Sequence, residues 1–212
     1  MNKLLIAIIA IVALALGALL FQKWQLSQQP KFSLYYQQPR EIKAFTLQDH
    51  QGNDFSKKNL QDKWSFVFFG YTSCPDVCPT TMQTFSFVYD DLKKIGQNKV
   101  QVLLVSVDPL RDSQNKLAQY IDYFNEEFIA LRADHGTLYP FSRDLGLMYA
   151  IVNNNAVDTK ESYLVDHSAS IVLINPQGKI SAIFKPEIAL GQVPSIDGEK
   201  LLSDFNKIVA LY

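Results

Sequence analysis

Two cysteines are the residues of this chain whose spacing points most clearly to chemistry. Cys74 and Cys78 are the only cysteines, and they lie four residues apart just after an apolar run that predicts a buried strand. If Cys78 lies in the first turn of a helix, both sulfurs fall on one face and can meet one metal ion or each other. The dipole of that helix also lowers the pKa of a nearby thiol. The pair is predicted to bind a metal or to form a disulfide.

One histidine could complete a ligand set with the cysteines. His167 lies in the segment Tyr163–Ser170, where a loop is predicted to enter the final β-hairpin. Two thiolates and one imidazole make three ligands: thiolates select soft ions such as Cu(I), and imidazole also suits Cu(II). Zinc would need a fourth ligand in a closed structural site. A lone histidine before a strand is also commonly structural, and His167 becomes a ligand only if the sheet brings it opposite the cysteine loop.

Two acidic residues next to these candidates are expected to act from outside the ligand set. Asp76 can accept backbone N–H bonds or place a negative charge near the metal, and capping is favoured because a carboxylate oxygen matches a soft ion poorly. Asp166 either orients His167 through a hydrogen bond or is a plain loop residue. Met82 and Met148 are possible thioether ligands, but their helix and strand contexts favour core packing.

Length and composition indicate a globular protein. The chain has 212 residues, 48% of them hydrophobic and 12% aromatic, which is ample for a core. The net charge of −1 comes from mixed charges without a basic stripe, so nothing suggests a nucleic-acid partner.

The N-terminal segment predicts a membrane anchor. Residues 4–21 are uncharged and mostly apolar, and at about 1.5 Å per residue a helix there would cross most of a hydrocarbon core of about 30 Å. A cleavable signal peptide usually has a shorter apolar region that ends in small residues. We therefore expect an uncleaved transmembrane helix with the C-terminal part exported, where cysteines meet an oxidising environment.

The rest of the chain predicts one α/β domain. Residues 1–3 would be a short cytoplasmic start, 22–40 a tether rich in Gln, Ser and Pro, and 41–212 the folded domain. Alternating strand and helix patterns predict a sheet with helices on both faces. The predicted elements are a hairpin at 44–55, strands at 64–71 and 100–107, helices at 80–95, 113–124 and 138–147, extended residues 149–152, a hairpin at 169–184 and a helix at 197–209.

Three segments of the chain resemble the Sco/SenC family of copper proteins, which help to assemble the dinuclear copper site of cytochrome c oxidase. In order and spacing the resemblance covers most of residues 44–209, and the segments that carry it are Gly70–Pro79, Ser106–Pro109 with Arg111 and Asp112, and Val165–Ser168. A CxxxC motif followed by Pro is only moderately specific alone. The downstream Asp-His before a strand makes the combination strong.

The resemblance implies a thioredoxin-like fold with an N-terminal β-hairpin. In it Cys74, Cys78 and His167 would bind one copper ion per chain, as Cu(I) or Cu(II), and the same cysteines could form a disulfide. Thioredoxin-like oxidoreductases place a cis-proline opposite the cysteines, whereas this chain has His167 there. The substitution favours metal binding without abolishing redox chemistry.

The function implied by the resemblance is that of a membrane-anchored metallochaperone rather than an enzyme. Its partners would be the copper-site subunit of cytochrome c oxidase and an upstream copper donor. The location would be the inner (cytoplasmic) membrane, with the domain in the periplasm or an equivalent exported space. The alternative is a thiol-disulfide oxidoreductase that reduces the cysteines of the acceptor copper site, with Cys74 as the attacking thiol.

Overall fold

The computed structural model describes residues 2–97, 99–152, 163–189 and 191–212. The strands in these residues are β1 (Ser33–Glu41), β2 (Thr46–Asp49), β3 (Asp54–Ser56), β4 (Trp64–Gly70), β5 (Val100–Ser106), β6 (Ile129–Arg132), β7 (Tyr149–Val152), β8 (Leu164–His167), β9 (Ile171–Ile174) and β10 (Lys179–Phe184). The helices are α1 (Asn2–Ser27), α2 (Val77–Ile95), α3 (Gln114–Phe124), α4 (His135–Leu145) and α5 (Gly198–Leu211), with a short 3-10 helix at Lys57–Leu60.

Eight of these strands form one mixed sheet in the order β1-β10-β9-β4-β5-β6-β2-β3. At its centre β4, β5 and β6 run parallel, while β9 and β10 form an antiparallel hairpin beside β4. Every residue of β4 and β5 is buried, as expected for apolar strands that are covered on both faces. The predicted N-terminal hairpin is confirmed as β2 and β3, with Leu47 opposite Phe55.

Helices cover both faces of the sheet, as the sequence predicts. Phe66 of β4 contacts Phe85 of α2 and Phe205 of α5 through edge-to-face ring pairs. Phe69, which points to the other face because strand side chains alternate, packs against Phe141 of α4. Helix α2, whose first turn carries Cys78, therefore packs on the same face of the sheet as Phe66.

The predicted tether is corrected by the structure in its second half. Residues 33–41 form β1, which pairs with β10 at one edge of the sheet. The buried carboxylate of Asp204 in α5 holds the entry to this strand, because it accepts backbone N–H bonds from Lys31, Phe32 and Ser33 at 2.7–2.8 Å. The sequence of β1 shows no strict alternation of apolar and polar residues, because an edge strand is largely exposed. Its position depends instead on these contacts with a distant helix, which the local sequence does not reveal.

The transmembrane helix predicted at residues 4–21 is contradicted. Crossing a bilayer takes about 20 consecutive, predominantly apolar residues. Along the described parts of the chain, no helix offers a stretch that is both long enough and apolar enough to cross a membrane. Met1, the first residue of the predicted cytoplasmic start, lies outside the described residues.

The strand that carries the candidate histidine is separate from the main sheet. β7 and β8 form a two-stranded antiparallel ribbon in which Tyr149 lies opposite His167. The extended conformation predicted for residues 149–152 is confirmed. His167 was predicted at the entry to the final hairpin, whereas it ends a strand of its own that leads into β9. A strand of four residues with one buried position is too short for its pattern to be recognised.

Candidate metal centre

The cysteine loop joins a central strand to the helix that follows it. β4 ends at Gly70 and α2 begins at Val77, which places Cys78 in the first turn of the helix as predicted. Cys74 lies in the loop, where its backbone N–H donates to the carbonyl oxygen of Tyr71 at 3.2 Å. The Cys74 side chain is partly exposed and Cys78 is fully buried. The two thiols therefore share one site but differ in their access to solvent.

The buried thiol depends on a glycine at the end of β4. A Cβ atom at Gly70 would lie 2.9 Å from Cys78 Sγ and 3.0 Å from a side-chain carbon of both Phe68 and Leu104. Real Cβ atoms essentially never approach that closely to a sulfur, so any larger residue would displace the thiol or the strand. Glycine at this position leaves room for the Cys78 sulfur.

His167 completes a group of three metal-binding side chains. Its Nε2 lies 3.3 Å from Cys78 Sγ and 4.0 Å from Cys74 Sγ. All three ligand atoms lie within 4.8 Å of one another, close enough to hold one metal ion. Thus β8 brings the predicted histidine to the cysteine loop.

The imidazole is held by two aromatic rings and one carbonyl group. The rings of Phe68 and Tyr71 both lie nearly perpendicular to the His167 ring, at centroid distances of 5.8 Å. His167 Nδ1 lies 3.3 Å from the carbonyl oxygen of Ser168. Because a carbonyl only accepts, Nδ1 donates this hydrogen bond, and Nε2 is the ring nitrogen that faces the two sulfurs.

Phe68 and Tyr71 contact the histidine of the site, although the sequence did not predict a role for either side chain. Phe68 lies inside an apolar run that shows only a buried strand, and its contact with His167 arises from the distant ribbon. Tyr71 was noted only as part of the cysteine motif. Its hydroxyl accepts the backbone N–H of Val165 at 3.4 Å and so links the cysteine loop to β8. The aromatic residue immediately after the buried strand was the available signal.

The two thiols have opposite pKa shifts. The pKa of Cys74 is lowered to about 4. The largest cause is the hydrogen bond from the Cys78 thiol; the contact with His167 also lowers the pKa, while burial opposes both. Burial raises the pKa of Cys78 far above its ordinary value, and the nearby Cys74 sulfur adds to this. The metal-free pair is therefore one thiolate that accepts a hydrogen bond from one thiol, and a bound cation would displace the remaining proton.

The two acidic residues predicted to act from outside the ligand set, Asp76 and Asp166, are not part of the described ligand cluster. Asp76 is exposed at the N-cap position of α2, and its side chain makes no capping hydrogen bond. Asp166 is exposed, and because strand residues alternate it points away from the face of its neighbour His167. The carbonyl of Ser168 occupies the role that was proposed for Asp166. Met82 is buried as predicted, whereas Met148 is exposed and is not a core residue.

The chemistry of this donor set fits a copper ion. Two sulfur donors select soft cations, above all Cu(I), and an imidazole nitrogen is also a good ligand for Cu(II). A structural zinc site would ordinarily use four protein ligands, while the described cluster supplies three. The partly exposed Cys74 marks the side from which an ion could enter or leave.

Comparisons with known proteins agree with this fold and site. An SCO2-like protein of Rickettsia prowazekii is 30% identical over 165 residues, covering 77% of this chain and 78% of the relative. The crystal structure of Arabidopsis thaliana ScoI with copper bound matches with a TM-score of 0.68 and 25% identity, over 81% of this chain and 99% of that chain. Bradyrhizobium japonicum ScoI with copper bound matches with a TM-score of 0.61 and 28% identity, over 77% and 96%.

These likenesses confirm the predicted thioredoxin-like α/β fold. A family model described as SCO1/SenC matches residues 35–194, which include Cys74, Cys78 and His167. Since that match covers well over half of its length, the chain belongs to the SCO1/SenC family.

Proposed function

We propose that this protein binds one copper ion through Cys74, Cys78 and His167 and delivers it to the dinuclear copper site of cytochrome c oxidase. The observation that carries the proposal is the convergence of two sulfurs and one imidazole nitrogen within 4.8 Å. Support comes from two similar proteins whose solved structures hold copper. Membership of the SCO1/SenC family supports the role in oxidase assembly. In this function copper is the cargo of the protein.

The unequal burial of the two cysteines suggests how the cargo leaves. An incoming thiolate of the acceptor site would replace Cys74 first, because that sulfur is partly exposed, while the buried Cys78 and His167 still hold the ion. Replacement of the remaining two ligands then releases copper to the acceptor. Each step exchanges one metal ligand for another and needs no net electron transfer.

Copper binding by a histidine variant tests the proposal. Wild-type protein with reduced cysteines should bind one Cu(II) and show intense sulfur-to-copper charge-transfer bands. His167→Ala should weaken Cu(II) binding at least tenfold and remove the imidazole signal from the electron paramagnetic resonance spectrum. His50→Ala is the matched control, since His50 Nδ1 instead accepts the backbone N–H of Ala130. Equal Cu(II) affinity in wild type and His167→Ala would overturn the proposal.

A second candidate function is favoured by the lowered pKa of Cys74. A stable thiolate that is partly exposed, next to a buried thiol, suits thiol-disulfide exchange. Cys74 would attack a disulfide of the acceptor copper site and form a mixed disulfide, releasing one acceptor thiolate. Cys78 would then lose its proton, attack Cys74 and release the second acceptor thiol. The acceptor gains two electrons as the Cys74–Cys78 pair becomes a disulfide.

Two variants separate the candidates. Cys78→Ser should trap the mixed disulfide with an oxidised acceptor peptide if exchange occurs. His167→Ala should keep thiol exchange while it loses tight Cu(II) binding. Failure of Cys78→Ser to trap any mixed disulfide, while the wild type binds copper, would exclude the oxidoreductase function.

We further propose that the domain works in the periplasm or an equivalent exported space, where an upstream donor would supply its copper. Disulfides form and persist in oxidising compartments, where this cysteine pair could be used in both its dithiol and its disulfide form. Cys74 and Cys78 are free thiols that lie close to each other in this structure. A membrane-impermeant maleimide added to intact cells should label Cys74, whereas labelling only after lysis would contradict the exported location.

A further inference from the structure

One short turn of the chain contacts both halves of the metal centre. The turn Asp108–Asp112 connects β5 to α3, and none of its residues is a ligand. Cys78 and His167 are 89 residues apart, and His167 lies on the ribbon outside the main sheet. Their relative position therefore depends on contacts that cross from the cysteine loop to the segment preceding His167.

At one end of the turn, Asp112 holds the cysteine loop. Its carboxylate is completely buried and accepts the backbone N–H of Thr72 at 3.1 Å and the Thr72 hydroxyl at 2.5 Å. Lys116, in the first turn of α3, donates to Ser73 Oγ at 3.1 Å. The two residues that immediately precede Cys74 are thus fixed by side chains from this part of the chain.

At the other end, Asp108 and Arg111 hold the segment that leads to the histidine. The nearly buried carboxylate of Asp108 accepts hydrogen bonds from Arg111 Nε and from the hydroxyl of Tyr163. Arg111 Nη1 donates to the carbonyl oxygen of Tyr163 at 2.9 Å, and the guanidinium lies 3.8 Å from the centre of that tyrosine ring. Tyr163 directly precedes β8, so these contacts set the start of the strand that ends at His167.

The two ends share one hydroxyl group. Ser106 Oγ donates to Asp112 at 2.7 Å and accepts the backbone N–H of Asp108 at 3.2 Å. Charge-assisted hydrogen bonds to buried carboxylates are strong, and losing one partner leaves a charge without compensation in a low-dielectric interior. The turn is therefore a stiff connection between the two halves of the site.

We propose that Asp108–Asp112 is a bracket that positions His167 against the cysteine pair, with its two ends acting on different ligands. Asp108, through Arg111 and Tyr163, positions the imidazole, and Asp112 positions the cysteine loop. The inference rests on the proposed function, because it assumes that the ion uses all three ligands. Cu(II) depends strongly on the imidazole, whereas two thiolates suffice to retain Cu(I). Damage to the Asp108 end should therefore weaken Cu(II) binding selectively, whereas damage to the Asp112 end should weaken the binding of both Cu(II) and Cu(I).

The test measures both copper ions on variants of each end. Asp108→Asn should weaken Cu(II) binding at least tenfold, reduce nitrogen hyperfine coupling in the Cu(II) spectrum and leave Cu(I) affinity within threefold of wild type. Asp112→Asn should weaken both ions. Tyr163→Phe removes one hydrogen bond to Asp108 but keeps the ring, so it should shift Cu(II) binding in the same direction by about threefold. This milder variant keeps the test valid if Asp108→Asn does not fold.

Asp204→Asn is the matched control for general loss of stability. Asp204 is equally buried and accepts three backbone N–H bonds, but it anchors β1 rather than the metal centre. It should lower the melting temperature without changing the ratio of Cu(II) to Cu(I) affinity. Equal losses of both ions in Asp108→Asn and Tyr163→Phe, or no loss in either, would overturn the bracket.

A readout without copper separates failure of the bracket from failure of the proposed function. In the reduced, metal-free protein, NMR contacts between the His167 ring and the rings of Phe68 and Tyr71 should weaken in Asp108→Asn and persist in Asp204→Asn. Unchanged contacts in Asp108→Asn would refute the bracket whatever the metal does. Contacts that respond as expected, with Cu(II) binding unaffected by His167→Ala, would refute the three-ligand site instead.

Discussion

His167 Nε2 lies 3.3 Å from the buried sulfur of Cys78, although 89 residues separate the two in the chain. The Cys74 sulfur lies beside them, so that all three ligand atoms are within 4.8 Å of one another. A disulfide needs its two sulfurs about 2.05 Å apart, which would consume both thiolates. Metal binding and disulfide formation are therefore mutually exclusive uses of one pair of cysteines.

We predict that oxidation of the cysteine pair releases copper. Protein oxidised with a mild disulfide reagent should retain less than a tenth of the copper held by the reduced protein after desalting, because His167 alone is a weak ligand site. Reduction should restore one copper per chain, measured by atomic absorption. Copper that stays bound after complete oxidation of both thiols would contradict this prediction.

The lowered pKa of Cys74 predicts that its reactivity is nearly independent of pH around neutrality. In an ordinary thiol with a pKa of about 8.5, the thiolate fraction rises about tenfold for each unit by which the pH increases, as long as the pH stays below the pKa. With a pKa of about 4, Cys74 is already a thiolate at pH 6. Alkylation of the reduced, metal-free protein by iodoacetamide, followed by mass spectrometry, should show Cys74 modified at similar rates from pH 6 to pH 8.

Two controls sharpen this alkylation experiment. The Cys78 thiol supplies the largest cause of the low pKa of Cys74, so Cys78→Ala should restore a steep rise of rate with pH. His167→Ala should change the profile less, because the histidine contact lowers the pKa of Cys74 less than the Cys78 thiol does. A hundredfold rise between pH 6 and pH 8 in the wild type would show that Cys74 is an ordinary thiol.

Replacing Gly70 with alanine should disturb the metal centre by steric pressure alone. The added methyl group would lie 2.9 Å from Cys78 Sγ, so the sulfur must move or the strand must shift. We expect a loss of about 1–3 kcal/mol of stability from overpacking, together with at least tenfold weaker copper binding. Chemical denaturation and copper titration measure the two effects.

The matched control for the Gly70 variant is Gly17→Ala. A Cβ at Gly17 meets no described atom within 4 Å, and Gly17 lies in a helix, where alanine is favoured over glycine, so this variant should not lower stability and should leave copper binding within error of the wild type. Unchanged copper affinity in Gly70→Ala would mean that Cys78 can take up another position without loss of the site.

Removing the Asp204 carboxylate should detach the N-terminal edge of the sheet. Asp204→Ala leaves the backbone N–H groups of Lys31, Phe32 and Ser33 without the partner that binds them at 2.7–2.8 Å. We expect a loss of about 2–4 kcal/mol in the free energy of unfolding, measured with urea, because each unsatisfied buried group costs about 1–3 kcal/mol and exposure of the edge recovers part of this. A change below about 0.5 kcal/mol would contradict the anchoring role. Copper affinity of the folded protein should not change.

The parts of the fold that were predictable from the sequence are those whose signal is local. The unbroken apolar runs of β4 and β5 identified the central strands, since burial on both faces leaves no alternation. The turn residues Asn175–Gly178 marked the β9–β10 hairpin, because Asn, Pro and Gly favour a tight turn wherever they follow one another between two apolar runs. β1 was instead predicted to be a tether, because an edge strand anchored by Asp204 carries no local pattern.

The candidate site shows the same division. The spacing of Cys74 and Cys78 after a strand end was sufficient to predict that both sulfurs serve one site. His167 was recognised as a candidate by its residue type and by the family resemblance. Its position on a separate two-stranded ribbon was not predicted. Asp166, beside it in sequence, was predicted either to orient the imidazole or to be a plain loop residue; strand alternation turns it away, and a backbone carbonyl lies beside the imidazole Nδ1 instead.

Residue types and short spacings in the sequence by themselves determined the chemistry available to this protein: two thiols four residues apart after a strand end, and a histidine that could join them. Only the tertiary structure decided that the three ligand atoms lie within 4.8 Å of one another and that Asp108 and Asp112 become buried hydrogen-bond acceptors beside them. The physical reason is that spacing within a helix or strand follows from backbone geometry, whereas contacts between residues 89 positions apart depend on how the whole sheet packs.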